Sequence, residues 1–214
     1  MANLYERLVL PTLIDFAMTR QEAARLRAVH IPHAHGAVLE VGIGSGLNLP
    51  FYTNRVTRLY GIDPSAGLLA MARPKAATAT FAVELIHGEA DRIPLADASV
   101  DTVVVTWVLC SIANPRDALR EMRRVLRPDG TLIFVEHGLS PDAGVRKWQN
   151  RLTPLWRRFT GGCHLNRKMD DLVRDAGFTL TDVRTQYVPG PRAFTFMFEG
   201  RAEKHDGEHS TGHR

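Results

Sequence analysis

The feature that most constrains this chain is a run of three alternate glycines directly after an apolar segment. The run reads Val38-Leu39-Glu40-Val41-Gly42-Ile43-Gly44-Ser45-Gly46, and Asp63 closes the next apolar segment. Glycines at a strand-to-helix turn let the backbone approach a ligand closely, and an acid at the next strand end can hold ribose hydroxyls. A dinucleotide fingerprint would place the third glycine one residue later, at Leu47. The spacing therefore predicts a nucleoside-binding βαβ unit that is not of the dinucleotide type.

The segment from 37 to 138 alternates short β-rich runs with turns and helical periodicity. The runs lack polar alternation, which is typical of parallel strands buried on both faces. We predict an α/β fold: a doubly wound, mainly parallel seven-stranded sheet with a C-terminal antiparallel hairpin edge, whose ligand lies beyond the carboxyl ends of the strands. Pro128 is expected to end a helix, and Asp129-Gly130 to form the turn before the fifth strand. The predicted elements are strands at 37–42, 58–62, 82–87, 101–106 and 131–137 and a helix at 115–126.

The flanking segments fit one domain over residues 1–202. Residues 1–30 carry apolar side chains at helical spacing. We predict that they form two helices split by Pro11, which either cover the ligand cleft as a lid or pack on the sheet. A helical insertion is predicted near 142–160. The polar residues 203–214 are expected to form a disordered tail.

Composition narrows the class of protein further. The 214 residues are 44% hydrophobic and carry a formal charge of +4, with scattered arginines, so nucleic-acid binding is not predicted. The chain shows neither a signal-peptide pattern nor a bilayer-spanning stretch, and we expect a cytoplasmic protein, with membrane association left open. Cys110 and Cys163 are the only cysteines. They are too few for a disulfide framework or a four-thiolate zinc site, and no metal site is predicted.

The motif E-x-G-x-G-x-G, formed by Glu40 and the three glycines, resembles the first motif of class I S-adenosylmethionine-dependent methyltransferases. Further segments narrow the resemblance to the alkyl thiol S-methyltransferases of the methyltransferase-like group and their bacterial relatives. Residues 1–30 differ from the strongly apolar N-terminal anchor of the membrane-bound members. The segments that carry this narrower resemblance lie at 108–112, 123–130, 136–137 and 161–167.

The resemblance implies S-adenosylmethionine as the cofactor and assigns its binding residues. The glycines would approach the methionine tail and sugar, and Glu40 would place a negative charge near the ammonium or sulfonium group. Asp63 can accept hydrogen bonds from both ribose hydroxyls, and Glu89 can accept one from the adenine amine. Thr106 should line the methyl-donor end. The full set of cofactor-binding residues is Glu40, Gly42, Gly44, Gly46, Asp63, Pro64, Glu89, Ala90 and Thr106.

The resemblance also implies a small, apolar acceptor, with a thiol as the first hypothesis. A lipid amine or a quinone-type precursor is an alternative acceptor, and a nicotinamide-dependent oxidoreductase is the alternative from another class. A thiol with a pKa of about 8.5 is only a few per cent ionised near neutral pH, so a base would raise its reactive fraction. His137, at the end of the fifth strand, is the first candidate base, with a structural role beside Glu136 as the alternative. His164 is the second candidate.

Overall fold

The computed structural model describes residues 10–204. The predictions made for residues 1–9 and 205–214, which belong to the lid and the tail, lie outside the described residues. The predicted start of the tail at residue 203 is wrong, because Glu203 and Lys204 pair with neighbouring strands at the end of the last strand. The strands are β1 (Gly36–Val41), β2 (Val56–Asp63), β3 (Ala82–His87), β4 (Val100–Thr106), β5 (Leu126–His137), β6 (Phe178–Tyr187) and β7 (Phe196–Lys204). The α-helices are α1 (Leu10–Met18), α2 (Gln21–His30), α3 (Ala66–Ala77), α4 (Pro115–Val125), α5 (Ala143–Phe159) and α6 (Met169–Asp175).

The strands form one sheet in the order β3-β2-β1-β4-β5-β7-β6. The first five strands pair in parallel, with β1 between β2 and β4. β7 runs antiparallel to both of its neighbours, β5 and β6. The predicted doubly wound, mainly parallel sheet with a C-terminal antiparallel hairpin edge is confirmed. Because the chain continues from β1 to β2 on one side and returns to β4 on the other, ligands are expected beyond the carboxyl ends of these strands.

The central strands are apolar because both faces of the sheet are covered. Leu39 of β1 packs on the side of α4, whereas its neighbour Val38 belongs to the opposite layer with Leu69 of α3. Helix α4 is held by one apolar stripe at helical spacing. The buried residues of that stripe are Ala118, Leu119, Met122 and Val125.

Strand β5 begins five residues earlier than predicted, and the prediction of a separate turn at Asp129-Gly130 is wrong. Helix α4 ends at Val125, and Leu126 is already extended and pairs with Val100. The next pair is Thr102 with Thr131, so residues 127–130 oppose a single residue of β4. Pro128 has no N–H to donate to the ladder, and the segment forms an irregularity inside the strand.

Within the described residues, helices α1 and α2 are separated at residues 19–20, and the predicted split at Pro11 depends on residues before Leu10, which lie outside the described residues. Pro11 lies in the first turn of α1, where a proline removes no helical hydrogen bond. Helix α5 occupies the segment in which the helical insertion is predicted. None of the helices within residues 10–204 is long and apolar enough to cross a membrane.

Candidate functional site

A cavity of about 460 Å³ opens beyond the carboxyl ends of β1, β2 and β4. Its floor is the glycine turn after β1, and its walls include Ile14, Asp15 and Met18 of α1 and Gly161 after α5. A volume of this size is typical of sites for small organic ligands. The cavity lies where a doubly wound sheet is expected to bind its ligand.

Eight of the nine predicted cofactor-binding residues line this cavity. Gly44 has a φ of 57°, and a Cβ there would find only the Gly42 carbonyl oxygen within 4 Å, so the turn leaves room for a ligand at this point. Gly46 is not among the described lining residues, and a Cβ there would come within 2.9 Å of Leu49. Its missing side chain serves the packing of the turn. The eight lining residues are Glu40, Gly42, Gly44, Asp63, Pro64, Glu89, Ala90 and Thr106.

Asp63, the last residue of β2, is buried and braces the glycine turn. Its Oδ2 accepts a hydrogen bond from Gly44 N at 2.9 Å, and its Oδ1 accepts one from Ser65 N at 2.8 Å. Burial raises the pKa of the Asp63 carboxyl, and these two N–H donors oppose that shift. A carboxylate has about four acceptor positions. Two of them therefore remain for a ligand.

Glu40 is 1% exposed and lies at the centre of a polar network under the cavity. Its Oε1 accepts from Asn48 Nδ2 at 2.9 Å, and its Oε2 accepts from the Tyr52 hydroxyl at 2.8 Å. Arg27 Nε in turn donates to Asn48 Oδ1 at 2.9 Å. Burial raises the pKa of Glu40 from its usual 4.5 to about 8, although both hydrogen bonds and Arg27 favour the ionised form. A cationic ligand beside this carboxyl would favour its ionisation.

The ionisable side chains around the cavity are mostly acidic. Among the described lining residues, Arg27 is the one lysine or arginine. Such a site suits a cation and disfavours a ligand with a pyrophosphate, because opposite charges attract and like charges repel at short range. The acidic lining residues are Asp15, Glu40, Asp63 and Glu89.

The turn after β4 forms the apolar end of the cavity. Trp107 has a φ of 54°, which is rare for a bulky side chain and indicates local strain. The Arg27 guanidinium carbon lies 4.9 Å from the centroid of the Trp107 ring. Buried Glu136 of β5 holds this turn, since its Oε1 accepts from Val108 N at 2.7 Å and from Leu109 N at 2.9 Å. The strained turn therefore depends on one carboxylate.

Replacing Glu136 with alanine is expected to lower the free energy of unfolding by about 3 kcal/mol, because buried N–H groups lose a charged acceptor. Glu136→Gln should cost less, about 1–2 kcal/mol, since an amide oxygen can still accept from Val108 N and Leu109 N. Urea denaturation measures both changes. Glu203→Ala, an exposed site on β7, is the matched control. Equal stability of Glu136→Ala and the control would refute this role.

The two histidines proposed as bases lie behind the wall of the cavity. His137 Nε2 is 3.1 Å from Cys163 Sγ, and His164 Nδ1 is 3.2 Å from the Cys110 carbonyl oxygen. Neither histidine is among the described residues that line the cavity. Ser111, the neighbour of Cys110, is one of the lining residues on the side where the histidines lie. A hydrogen bond with Cys110 and burial raise the pKa of Cys163 well above its usual value. The base hypothesis stays a prediction.

Sequence reasoning missed several residues of the site. Arg27, Asn48 and Tyr52 surround Glu40, and Asp15 accepts a hydrogen bond from Ser45 Oγ at 2.5 Å. Asn48 and Tyr52 follow Glu40 by 8 and 12 residues, and a polar side chain in the turn after a glycine motif was the available signal. Arg27 had no such signal, because its helix reaches the site only through the tertiary fold.

Comparisons with known proteins agree with this geometry. The family described as Methyltransferase domain matches residues 39–134. The chain is 35% identical over 159 residues to the thiol S-methyltransferase TMT1B of Rattus norvegicus. The matched region covers 72% of the chain and 64% of TMT1B. The match thus spans less than two thirds of the length of that relative. The chain is also 36% identical over 188 residues to the phosphatidylethanolamine N-methyltransferase of Cereibacter sphaeroides. This matched region covers 86% of the chain and 89% of that protein.

A solved structure shows the same fold. The crystal structure of a SAM-dependent methyltransferase from Thermotoga maritima has a TM-score of 0.66 and covers 94% of this chain and 98% of that chain. The two sequences are 22% identical. At that identity the likeness concerns the fold alone.

Proposed function

Because the chain belongs to the class I S-adenosylmethionine-dependent methyltransferases, we propose that it transfers a methyl group from S-adenosylmethionine to a small apolar acceptor, first of all an alkyl thiol. One observation carries this proposal: an acidic cavity with an apolar end lies at the carboxyl ends of β1, β2 and β4. The acidic part suits a cationic cofactor, and the apolar part suits an uncharged acceptor.

The residues of the cavity fit S-adenosylmethionine better than a dinucleotide. The cofactor carries a sulfonium and an ammonium group, which the carboxylates can stabilise, whereas a dinucleotide carries two phosphates that they would repel. Two acceptor positions of Asp63 remain for ribose hydroxyls, and Glu89 and Ala90, which line the same cavity, would contact the adenine. Gly44 leaves space above the turn. This fit argues against the nicotinamide-dependent alternative.

The cofactor supplies an electrophilic methyl group, so the work of this chain is to hold the acceptor in line and to exclude water. Oriented reactions of this kind can recover roughly 7–11 kcal/mol of the barrier. Trp107, Val108 and Ile112 provide an apolar wall after β4, and Ile14 with Met18 of α1 faces the same cavity. The wall would bind an alkyl chain by burying its surface.

The acceptor proposal is supported by the apolar end of the cavity as well as by the relatives. The two relatives carry different names, one for a thiol and one for phosphatidylethanolamine. The headgroup of phosphatidylethanolamine is charged, and burying a charge against the apolar wall of Trp107, Val108 and Ile112 costs free energy. A neutral thiol meets no such penalty. The lipid amine is the second candidate, because the Cereibacter sphaeroides enzyme is matched over 89% of its length.

An acceptor screen tests this proposal. Alkyl thiols of increasing chain length, phosphatidylethanolamine in mixed micelles and a quinol are each incubated with the protein and S-adenosylmethionine, and release of S-adenosylhomocysteine is measured. We expect turnover with thiols. KM should fall as the alkyl chain lengthens, because the burial of each added CH₂ contributes about 0.8 kcal/mol of binding free energy. Turnover with phosphatidylethanolamine alone would replace the thiol by the lipid amine. The Asp63→Ala variant serves as the blank.

A further inference from the structure

Two cysteines and a histidine from three separate segments meet behind the apolar end of the cavity. Cys110 lies in the turn after β4, His137 ends β5, and Cys163 follows α5. One ligand atom from each residue lies within 4.8 Å of the other two. No two of these residues are close in sequence, so the fold alone creates the cluster.

We propose that Cys110, His137 and Cys163 form a binding site for one zinc ion. Two thiolates and an imidazole are donors that zinc prefers, and sites with three protein ligands keep the fourth position for water or a substrate. Thiolates bound to one zinc at about 2.3 Å in a tetrahedral arrangement lie about 3.8 Å apart, within the spread of this cluster. Zinc would replace the two thiol protons, which leave to solvent, and the two thiolates would balance its charge.

The surroundings resemble a built site rather than a chance meeting of side chains. Cys110 is 2% exposed and Cys163 9% exposed, so both sulfurs are largely shielded from water. Trp156 Nε1 lies 3.3 Å from Cys163 Sγ and donates to it, and an N–H donor to sulfur stabilises a metal-bound thiolate. Glu136 Oε2 accepts from Cys110 N at 3.3 Å and fixes the backbone of that ligand.

The site would connect the metal to the cavity wall. Ser111 Oγ lies 3.5 Å from Cys110 Sγ, and Ser111 lines the cavity. On the other side, Gly161 lines the cavity two residues before Cys163. A zinc ion would therefore join three segments at the acceptor end. This inference and the proposed function can fail separately, because zinc binding is measured without turnover.

Elemental analysis of the full chain, produced with zinc in the medium and never exposed to chelator, tests the site. We expect about one zinc per chain in the wild type and a loss of most of it in Cys110→Ser/Cys163→Ser. His35→Ala, an exposed histidine outside the cluster, is the matched control and should keep its zinc. His205, His209 and His213 are present in every variant, so zinc held by them cancels in the comparison.

A second measurement covers the case in which the double variant does not fold. Metal-free wild type is titrated with Co²⁺, and we expect absorption bands from thiolate-to-cobalt charge transfer that saturate at about one equivalent. Equal zinc in the wild type and a folded double variant would overturn the proposal. A wild-type cobalt titration without thiolate bands would overturn it as well.

Discussion

Replacing Asp63 with alanine is expected to weaken the binding of S-adenosylmethionine at least about a hundredfold. The two free acceptor positions of the carboxylate would hold both ribose hydroxyls, and hydrogen bonds to a charged group contribute about 1.5–3 kcal/mol each. The variant also loses the bonds from Gly44 N and Ser65 N, which adds to the effect because the glycine turn is no longer braced. Equilibrium dialysis with labelled cofactor measures the affinity.

The control for this prediction is Asp129→Ala, which removes an acid at an exposed site of β5 far from the cavity. It changes the net charge by the same amount and should leave the affinity unchanged. Both variants should still unfold cooperatively in urea. An Asp63→Ala protein that folds and binds the cofactor as the wild type does would refute the ribose role of Asp63.

Glu40→Gln is expected to weaken cofactor binding roughly tenfold or more at about pH 8, because a neutral amide cannot stabilise a cationic ligand as a carboxylate does. The deficit should shrink towards about pH 6. There Glu40 of the wild type, with its pKa raised to about 8, is protonated as well and resembles the amide. Comparing the two proteins at each pH removes the titration of the cofactor itself.

Although Glu40→Gln weakens cofactor binding, it should raise the free energy of unfolding of the cofactor-free protein relative to the wild type above about pH 8. The pKa of Glu40 is higher in the folded protein than in the unfolded chain, so unfolding releases a proton between about pH 4.5 and about pH 8. The contribution of Glu40 is therefore fully present below about pH 4.5 and is lost as the pH rises through about 8. Without cofactor, Glu40→Gln should lack this loss in urea denaturation, whereas the exposed control Glu84→Gln should keep it. Identical pH profiles of Glu40→Gln and the wild type would contradict the raised pKa.

Local patterns were sufficient for much of the fold, and eight of the nine residues predicted to bind the cofactor line the cavity. A glycine turn, a strand-terminal acid and apolar strands are features of short segments, and Asp63 could be predicted as a ligand-binding residue because it lies at a strand end. The start of β5 was missed because Pro128 and Asp129-Gly130 are strong turn signals in isolation. Pairing of Leu126 with Val100 overrides them.

The rest of the site depends on contacts between distant segments. The network of Arg27, Asn48 and Tyr52 around Glu40 could not be derived from a residue pattern, because its members are joined by the packing of α2 against the turn after β1. The cluster of Cys110, His137 and Cys163 shows the same limit more strongly. Cysteine counting argued against a metal site, yet the fold brings these three residues within 4.8 Å.

Calorimetric titration of the wild-type protein with S-adenosylmethionine and, separately, with NADH tests the central claim most directly. The acidic cavity and the spacing of the glycine turn predict saturable binding of S-adenosylmethionine at one site and no measurable binding of NADH, whose pyrophosphate the carboxylates repel. Tight binding of NADH without a response to S-adenosylmethionine would contradict the account.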